Sequence, residues 1–148
     1  MKPNGSCILV VDDSEDHRYI TTTELRRVRA SEPFKIEEAA RGEEALAKIP
    51  GLLRDHQNVL VLSDYRMPNM GGVELLRAAR NQFTTERLRF VIYSSTDHGV
   101  GDEARSSGAD VFLVKPMDLQ DFRRELQRII QDWLRPSTSD AARAHRRS

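Results

Sequence analysis

Residues 59–64 read VLVLSD, a continuous apolar run that ends in a serine and an aspartate. Two similar runs, CILVV at residues 7–11 and FVIY at residues 90–93, are also followed by aspartates or serines. Continuous apolar runs of this length are typical of strands buried on both faces, as in parallel sheets. The sequence therefore predicts three central strands, each with polar residues directly after it.

Two weaker strands and five helical segments surround these runs. Residues 34–39 (FKIEEA) alternate like a strand near an edge, and residues 111–114 (VFLV) form a short apolar run before Lys115 and Pro116. Helical patterns fall at residues 14–29, 43–49, 73–80, 102–107 and 119–134. The last is the clearest, because it carries one apolar stripe and Asp118 can cap its N-terminus. The predicted order is strand then helix, five times.

This alternation decides the fold class. Parallel strands need crossover connections, which are almost always right-handed, so the helices must cover both faces of the sheet. We therefore expect an α/β fold with a doubly wound, five-stranded parallel sheet built from five βα units. In such sheets ligands bind outside the carboxyl ends of the strands, near the switch in strand order. Functional residues should lie directly after the strands.

The bulk composition predicts one domain with a short terminal tail. The 148 residues suit a single domain, which we place at residues 7–135, after an N-terminal extension at residues 1–6. Residues 136–148 are polar and basic without apolar periodicity, which predicts a flexible tail too short to be an output domain. The formal net charge of zero gives no reason to expect nucleic acid or a membrane surface as a partner.

The expected compartment is the cytoplasm. The single cysteine, Cys7, cannot form an internal disulfide. No apolar run approaches the roughly 20 residues that a membrane-spanning helix needs. The first residues also meet acidic side chains too early for a secretory signal.

Acidic, hydroxyl and amino groups follow four of the predicted strands. Asp12 and Asp13 follow the first strand, Asp64 the third, Ser94 the fourth and Lys115 the fifth. Clustered carboxylates repel by roughly 4 kcal/mol per close pair at an effective dielectric near 20, so a compensating cation is expected. Oxygen ligands without histidine or cysteine favour Mg²⁺. A carboxylate, a metal, a hydroxyl and an ammonium are the parts of a phosphoryl-transfer site, and Asp64 is the best candidate nucleophile.

Four blocks of sequence carry a resemblance to a known family. ILVVDDSED, VLVLSDYRMPNMGG, FVIYSS and GADVFLVKP stand in this order along the chain. Together they resemble the signature blocks of bacterial response-regulator receiver domains, from about residue 7 to residue 133. The resemblance implies a flavodoxin-like, CheY-like fold with strand order 2-1-3-4-5.

The resemblance also implies roles at the acidic cluster. Asp64 would be the phosphoacceptor. Asp13 and Asp64 would bind Mg²⁺ directly, Asp12 would bind it through water, and the Arg66 carbonyl would be a further ligand. The side chains of Arg66 and Thr96 would flank the line along which water attacks the phosphoaspartate and so modulate dephosphorylation.

Further roles would fall on the last two strands. Ser94 would contact the phosphoryl oxygens and Lys115 would pair with the phosphoryl group. The peptide before Pro116 would be cis. Phe112 matches the aromatic residue that moves with Ser94 in the family's switch, although it could equally be an ordinary core residue.

The function implied is a stand-alone phosphoacceptor switch. A sensor histidine kinase would phosphorylate Asp64, and the face formed by the fourth helix, fifth strand and fifth helix would then change its binding of a downstream protein. The chain would catalyse only its own phosphorylation and dephosphorylation. Two alternatives remain: a phosphorelay shuttle to a histidine phosphotransfer protein, and a pseudo-receiver that is never phosphorylated. Homodimerisation is left open.

Two further expectations come from single segments. A phosphohydrolase with an aspartyl-phosphate usually carries a second acid two residues after its nucleophile, and position 66 is arginine, which disfavours that class. The fourth helix should be short and weakly held, because residues 94–110 contain three glycines and few apolar side chains.

Overall fold

Five strands and five helices alternate along the chain. The computed structural model describes residues 5–135. The elements are β1 (Ser6–Val11), α1 (Glu15–Arg26), β2 (Phe34–Ala39), α2 (Gly42–Asp55), β3 (Asn58–Asp64), α3 (Gly72–Gln82), β4 (Leu88–Ser94), α4 (Val100–Ser106), β5 (Val111–Val114) and α5 (Leu119–Leu134). Ser6 already belongs to β1, so the first strand begins one residue before the predicted domain start. The predicted tail, residues 136–148, lies outside the described residues.

The strands form one parallel sheet in the order β2-β1-β3-β4-β5. This confirms the predicted fold class and strand order. β2 is added on one side of β1, and β3, β4 and β5 are added on the other, so the switch in strand order lies between β1 and β3. The register aligns Val11 with Ser63 and Asp64 with Tyr93. The residues that follow the strands therefore meet at one edge of the sheet, where a doubly wound fold binds its ligands.

The core has two apolar layers, one on each face of the sheet. In β1, Cys7, Leu9 and Val11 face the layer that α2, α3 and α4 cover. Ile8 and Val10 face the other layer, which α1 and α5 cover. All five side chains are completely buried, as the continuous apolar run predicts for a central strand. The sheet, packed on both faces, fixes the positions of the loops that follow the strands.

Helix α2 runs six residues beyond its predicted end at residue 49. Proline lacks an amide hydrogen and usually interrupts a helix, so Pro50 is an unfavourable residue at this position. The helix nevertheless continues, because Leu52 and Leu53 are buried against the core on its far side. The amide of His56 then donates to the carbonyl of Leu52 and closes the last turn.

Helix α4 contains only seven residues, and it begins after Gly99, whose φ of 82° places it in the left-handed region. Helix α5 contains sixteen residues and has the predicted bounds. The carboxylate of Asp118 caps it by accepting from the amides of Gln120 at 2.7 Å and Asp121 at 3.3 Å. Between residues 5 and 135, no helix combines the length and the apolar character needed to cross a bilayer.

Candidate functional site

Three carboxylates meet where β1 and β3 end. Asp12 is completely buried, Asp13 is exposed and Asp64 is half-buried, and each offers an oxygen within 4.8 Å of the other two. Adjacent parallel strands bring them together because both strands end at the same edge. The set consists of oxygen donors alone, which suits a hard divalent cation such as Mg²⁺.

Protein donors hold Asp12 firmly. One carboxylate oxygen accepts from the amide of Ser14 at 2.9 Å, and the other accepts from the hydroxyl of Tyr93 at 2.6 Å. The Asp12 carbonyl accepts from the guanidinium of Arg18 at 2.8 Å, and Arg18 also pairs with Glu38 at 3.3 Å. These contacts fix both the side chain and the backbone of Asp12. A buried carboxylate is tolerated in a protein when it is hydrogen-bonded in this way.

Asp64 is held much more loosely. The only protein donor to its carboxylate among the described residues is the amide of Arg66, at a long 3.4 Å. Burial raises the pKa of the Asp64 carboxyl to about 6, and the nearby Asp12 charge adds to the rise. The Arg66 amide and the Lys115 ammonium oppose it. The Asp64 carboxylate is therefore more available for a new partner than that of Asp12, which two donors hold.

The start of α3 packs directly on the end of β3. A Cβ atom on Gly72 would lie 2.5 Å from the carbonyl oxygen of Asp64, so only glycine allows this approach. Asn69 turns the preceding loop with a φ of 69°. The PNMGG sequence thus closes the loop after Asp64 against the strand that carries it.

Lys115 lies beside the acids without pairing with them. Its Nζ is buried and has no hydrogen-bond partner in the described part of the chain. It lies 5.2 Å from the centre of the Tyr93 ring and 5.6 Å from that of Phe122. Burial lowers the pKa of the Lys115 ammonium, while Asp12 and Asp64 oppose that shift. A buried ammonium with no partner is rare, and an anionic group bound at Asp64 would provide one.

The remaining predicted residues surround this cluster. Ser94 is buried, and its hydroxyl oxygen accepts from the amide of Thr96 at 3.3 Å. Thr96 and Arg66 are exposed. Phe112 is half-buried and packs on the core, and the guanidinium of Arg105 lies 5.7 Å from the centre of its ring.

The prediction of a cis peptide before Pro116 is wrong. The described residues contain no cis peptide bond. The trans form of an X–Pro bond is favoured by roughly 0.5–1 kcal/mol. The amide of Lys115 donates to the carbonyl of Ser94 at 2.8 Å, so the chain continues the ladder of β5 before it turns at the proline.

Sequence reasoning missed Tyr93 and Arg18, which both contact Asp12. Tyr93 belongs to the apolar run of β4 and was counted only as a strand residue. A signal did exist, because a buried tyrosine hydroxyl almost always needs a hydrogen-bond partner. Nothing in the sequence indicates that this partner is Asp12.

A family model described as the response regulator receiver domain matches residues 8–127. The chain belongs to this family. The receiver is 31% identical to the two-component response regulator ORR5 of Oryza sativa subsp. japonica over 126 aligned residues. The aligned region covers 84% of this chain and 88% of that protein.

Solved structures show the same fold. Response regulator RPA3017 in red light signalling of R. palustris is 25% identical, with a TM-score of 0.72, over 89% of the receiver and 96% of that chain. Response regulator TrrA of Thermotoga maritima, solved in complex with Mg²⁺ and BeF, is 26% identical. Its TM-score is 0.65, over 84% of the receiver and 98% of that chain.

Proposed function

We propose that this receiver accepts a phosphoryl group on Asp64, in a Mg²⁺-dependent reaction, from a sensor histidine kinase. One arrangement carries the proposal: three carboxylates with oxygens within 4.8 Å of one another lie beside a buried ammonium that has no hydrogen-bond partner within residues 5–135. The acids suit a divalent cation and the ammonium suits an anion. A phosphoryl group on Asp64 together with Mg²⁺ would satisfy both.

Each residue would have a defined task. Asp13, Asp64 and the Arg66 carbonyl would hold Mg²⁺ directly, and Asp12 would hold it through water. When bound, the ion neutralises charge on the oxygens of the transferring group. Support for this choice of ion comes from TrrA, whose structure was solved with Mg²⁺ and BeF. The acids of this chain fit the same ion by their donor type.

The transfer itself is a displacement at phosphorus. An oxygen of the Asp64 carboxylate bonds to phosphorus while the phosphorus–nitrogen bond of the donor's phosphohistidine breaks, and the electron pair of that bond returns to the imidazole. The Ser94 hydroxyl and the Lys115 ammonium would contact the phosphoryl oxygens. A cavity of about 460 Å³, lined in part by Asp13, Arg66 and Glu103, lies next to these residues and would let the donor approach from solvent.

The output would pass through the α4–β5–α5 face. Ser94 would move toward the phosphoryl group and Phe112 would fill the space behind it. Four exposed apolar side chains already lie on or beside this face, at Val111, Val114, Met117 and Leu119. Exposed apolar groups of this kind suit a protein partner better than water. The partner would be a downstream target or a histidine phosphotransfer protein.

Return to the resting state would be intrinsic to the chain. The protein would catalyse only its own phosphorylation and dephosphorylation, in the cytoplasm. Arg66 and Thr96 are exposed beside Asp64 and Ser94, where their side chains can influence the water that hydrolyses the acyl phosphate.

Phosphorylation by a small donor tests the proposal directly. Acetyl phosphate with Mg²⁺ should add one phosphoryl group, seen by intact-protein mass spectrometry and removed by hydroxylamine. EDTA should prevent the addition, and so should Asp64→Asn. Asp55→Asn, which changes an exposed acid at the end of α2, should leave it intact. Failure of the wild-type chain to form an acyl phosphate would support the pseudo-receiver alternative instead.

A further inference from the structure

Tyr93 contacts two members of the phosphorylation site. It is the penultimate residue of β4, is 1% exposed, and lies opposite Asp64 in the register of β3 and β4. Its hydroxyl donates to Asp12 at 2.6 Å, and its ring lies 5.2 Å from the Lys115 ammonium. The hydroxyl and the ring therefore reach different groups of the site.

We propose that Tyr93 is a positioning residue whose hydroxyl holds the Asp12 carboxylate in the orientation that Mg²⁺ binding requires. The proposal rests on the proposed function, because it concerns the same metal site. It assigns to Tyr93 control of the Mg²⁺ affinity and leaves the transfer step to Asp64, Ser94 and Lys115.

The geometry explains why the hydroxyl matters. The Ser14 amide and the Tyr93 hydroxyl bind different oxygens of Asp12, so together they fix the rotation of the carboxylate. A hydroxyl that donates to a carboxylate at this distance makes a charge-assisted bond, which is among the stronger hydrogen bonds in proteins. Without it, one oxygen of a completely buried carboxylate loses its partner and the group can rotate.

Loss of such a supporting hydrogen bond usually weakens metal binding. Residues that orient metal ligands typically contribute 10- to 100-fold to metal affinity. Asp12 would reach the ion through water, so we place the effect at the lower end, about tenfold. A phenylalanine at position 93 would remove only the hydroxyl, because its ring would keep both the packing and the contact with Lys115.

The experiment compares Tyr93→Phe with wild type by isothermal titration with MgCl₂. We expect the dissociation constant for Mg²⁺ to rise about tenfold. Tyr19→Phe makes the same chemical change on the exposed face of α1 and should leave the constant unchanged. The melting temperature in EDTA verifies that both variants are folded.

A second readout separates positioning from a general loss of structure. In the acetyl phosphate reaction, Tyr93→Phe should need about ten times more Mg²⁺ for half-maximal rate, yet reach a rate within about twofold of wild type at saturation. Equal Mg²⁺ dissociation constants for Tyr93→Phe and wild type would overturn the positioning role. So would a fall in the saturated rate with an unchanged Mg²⁺ requirement. Absence of Mg²⁺ binding by the wild type would instead overturn the proposed function.

Discussion

At the level of single residues, Asp64 has a carboxyl that is costly to ionise in the metal-free protein. Burial and the charge of Asp12 raise its pKa from 3.8 to about 6. A group with a higher pKa in the folded state binds its proton more tightly there than in the unfolded chain. Protonation therefore stabilises the fold, and this contribution is lost as the pH rises through about 6.

Asp64→Asn should consequently stabilise the metal-free protein at pH 7.5. The full shift corresponds to about 3 kcal/mol, which partial exposure of the side chain reduces to about 1–2 kcal/mol in the free energy of unfolding. The difference from wild type should shrink as the pH falls through about 6, and it should vanish only below the ordinary carboxyl pKa of 3.8, where Asp64 is neutral in both the folded and the unfolded chain. Urea unfolding in EDTA between pH 4 and pH 8 measures this. If Asp64→Asn is less stable than wild type at pH 7.5, the ionised Asp64 carboxylate does not destabilise the metal-free fold.

The sequence was sufficient to predict which acidic residues form the site, but not which residues hold them in place. Asp12, Asp13 and Asp64 could be found because apolar strands locate the sheet edge and the residues after them must gather there. The hydrogen bond from Tyr93 to Asp12 and the placement of Lys115 over two rings depend on side-chain packing among the strands and α5. The incorrect prediction of a cis peptide before Pro116 rested on the resemblance alone, and no residue pattern in the chain supported it.

At the level of elements, α4 and α5 differ sharply in how they are held. The N-cap residue of α4, Gly99, has no side chain, and among residues 5–135 the only side-chain bond to an amide of the first turn is a 3.3 Å one from the Gly101 amide to Asp97. Val100 and Ala104 are the only side chains that the helix buries. The hydroxyl of Tyr65 tethers it by donating to Glu103 at 2.9 Å. Helix α5 buries Phe122, Leu126, Ile129 and Ile130, and its Arg123 pairs with the buried Glu24 of α1 at 2.8 Å.

This contrast predicts unequal hydrogen exchange. Short helices with little buried apolar surface open more readily than long, packed ones. Amides of α4 should exchange at least tenfold faster than those in the middle of α5, measured by mass spectrometry on the full chain. Tyr65→Phe should speed exchange in α4 further, and Tyr19→Phe serves as its control. Equal protection of the two helices would refute the view that α4 is weakly held.

The predicted ends of the strands and helices match the structure where the sequence pattern is local, and differ where tertiary packing decides. The bounds of β2, β5 and α5 were predicted correctly, because alternation, a short apolar run and a capped stripe are local patterns. Helix α2 was predicted too short, since the burial of Leu52 and Leu53 against the sheet outweighs the local cost of Pro50. That gain appears only when the tertiary packing is known.

At the level of the whole molecule, the parallel sheet concentrates negative charge at one edge. Asp12 and Asp13 follow β1 and Asp64 ends β3, so folding itself brings their charges together. The unfolded chain separates them and has no formed site for a cation. A cation that binds at this edge therefore stabilises the folded state through mass action.

Mg²⁺ at ten times its dissociation constant should add about 1.4 kcal/mol to the free energy of unfolding. For a chain of this length that corresponds to a rise of about 3–6 °C in the melting temperature. Asp13→Asn should abolish most of the rise, because Asp13 is the exposed acid that meets the ion from solvent. Asp16→Asn, which alters an exposed acid in the first turn of α1, should retain it. Differential scanning calorimetry with and without MgCl₂ makes the comparison, and an equal rise in wild type and Asp13→Asn would place the ion elsewhere on the molecule.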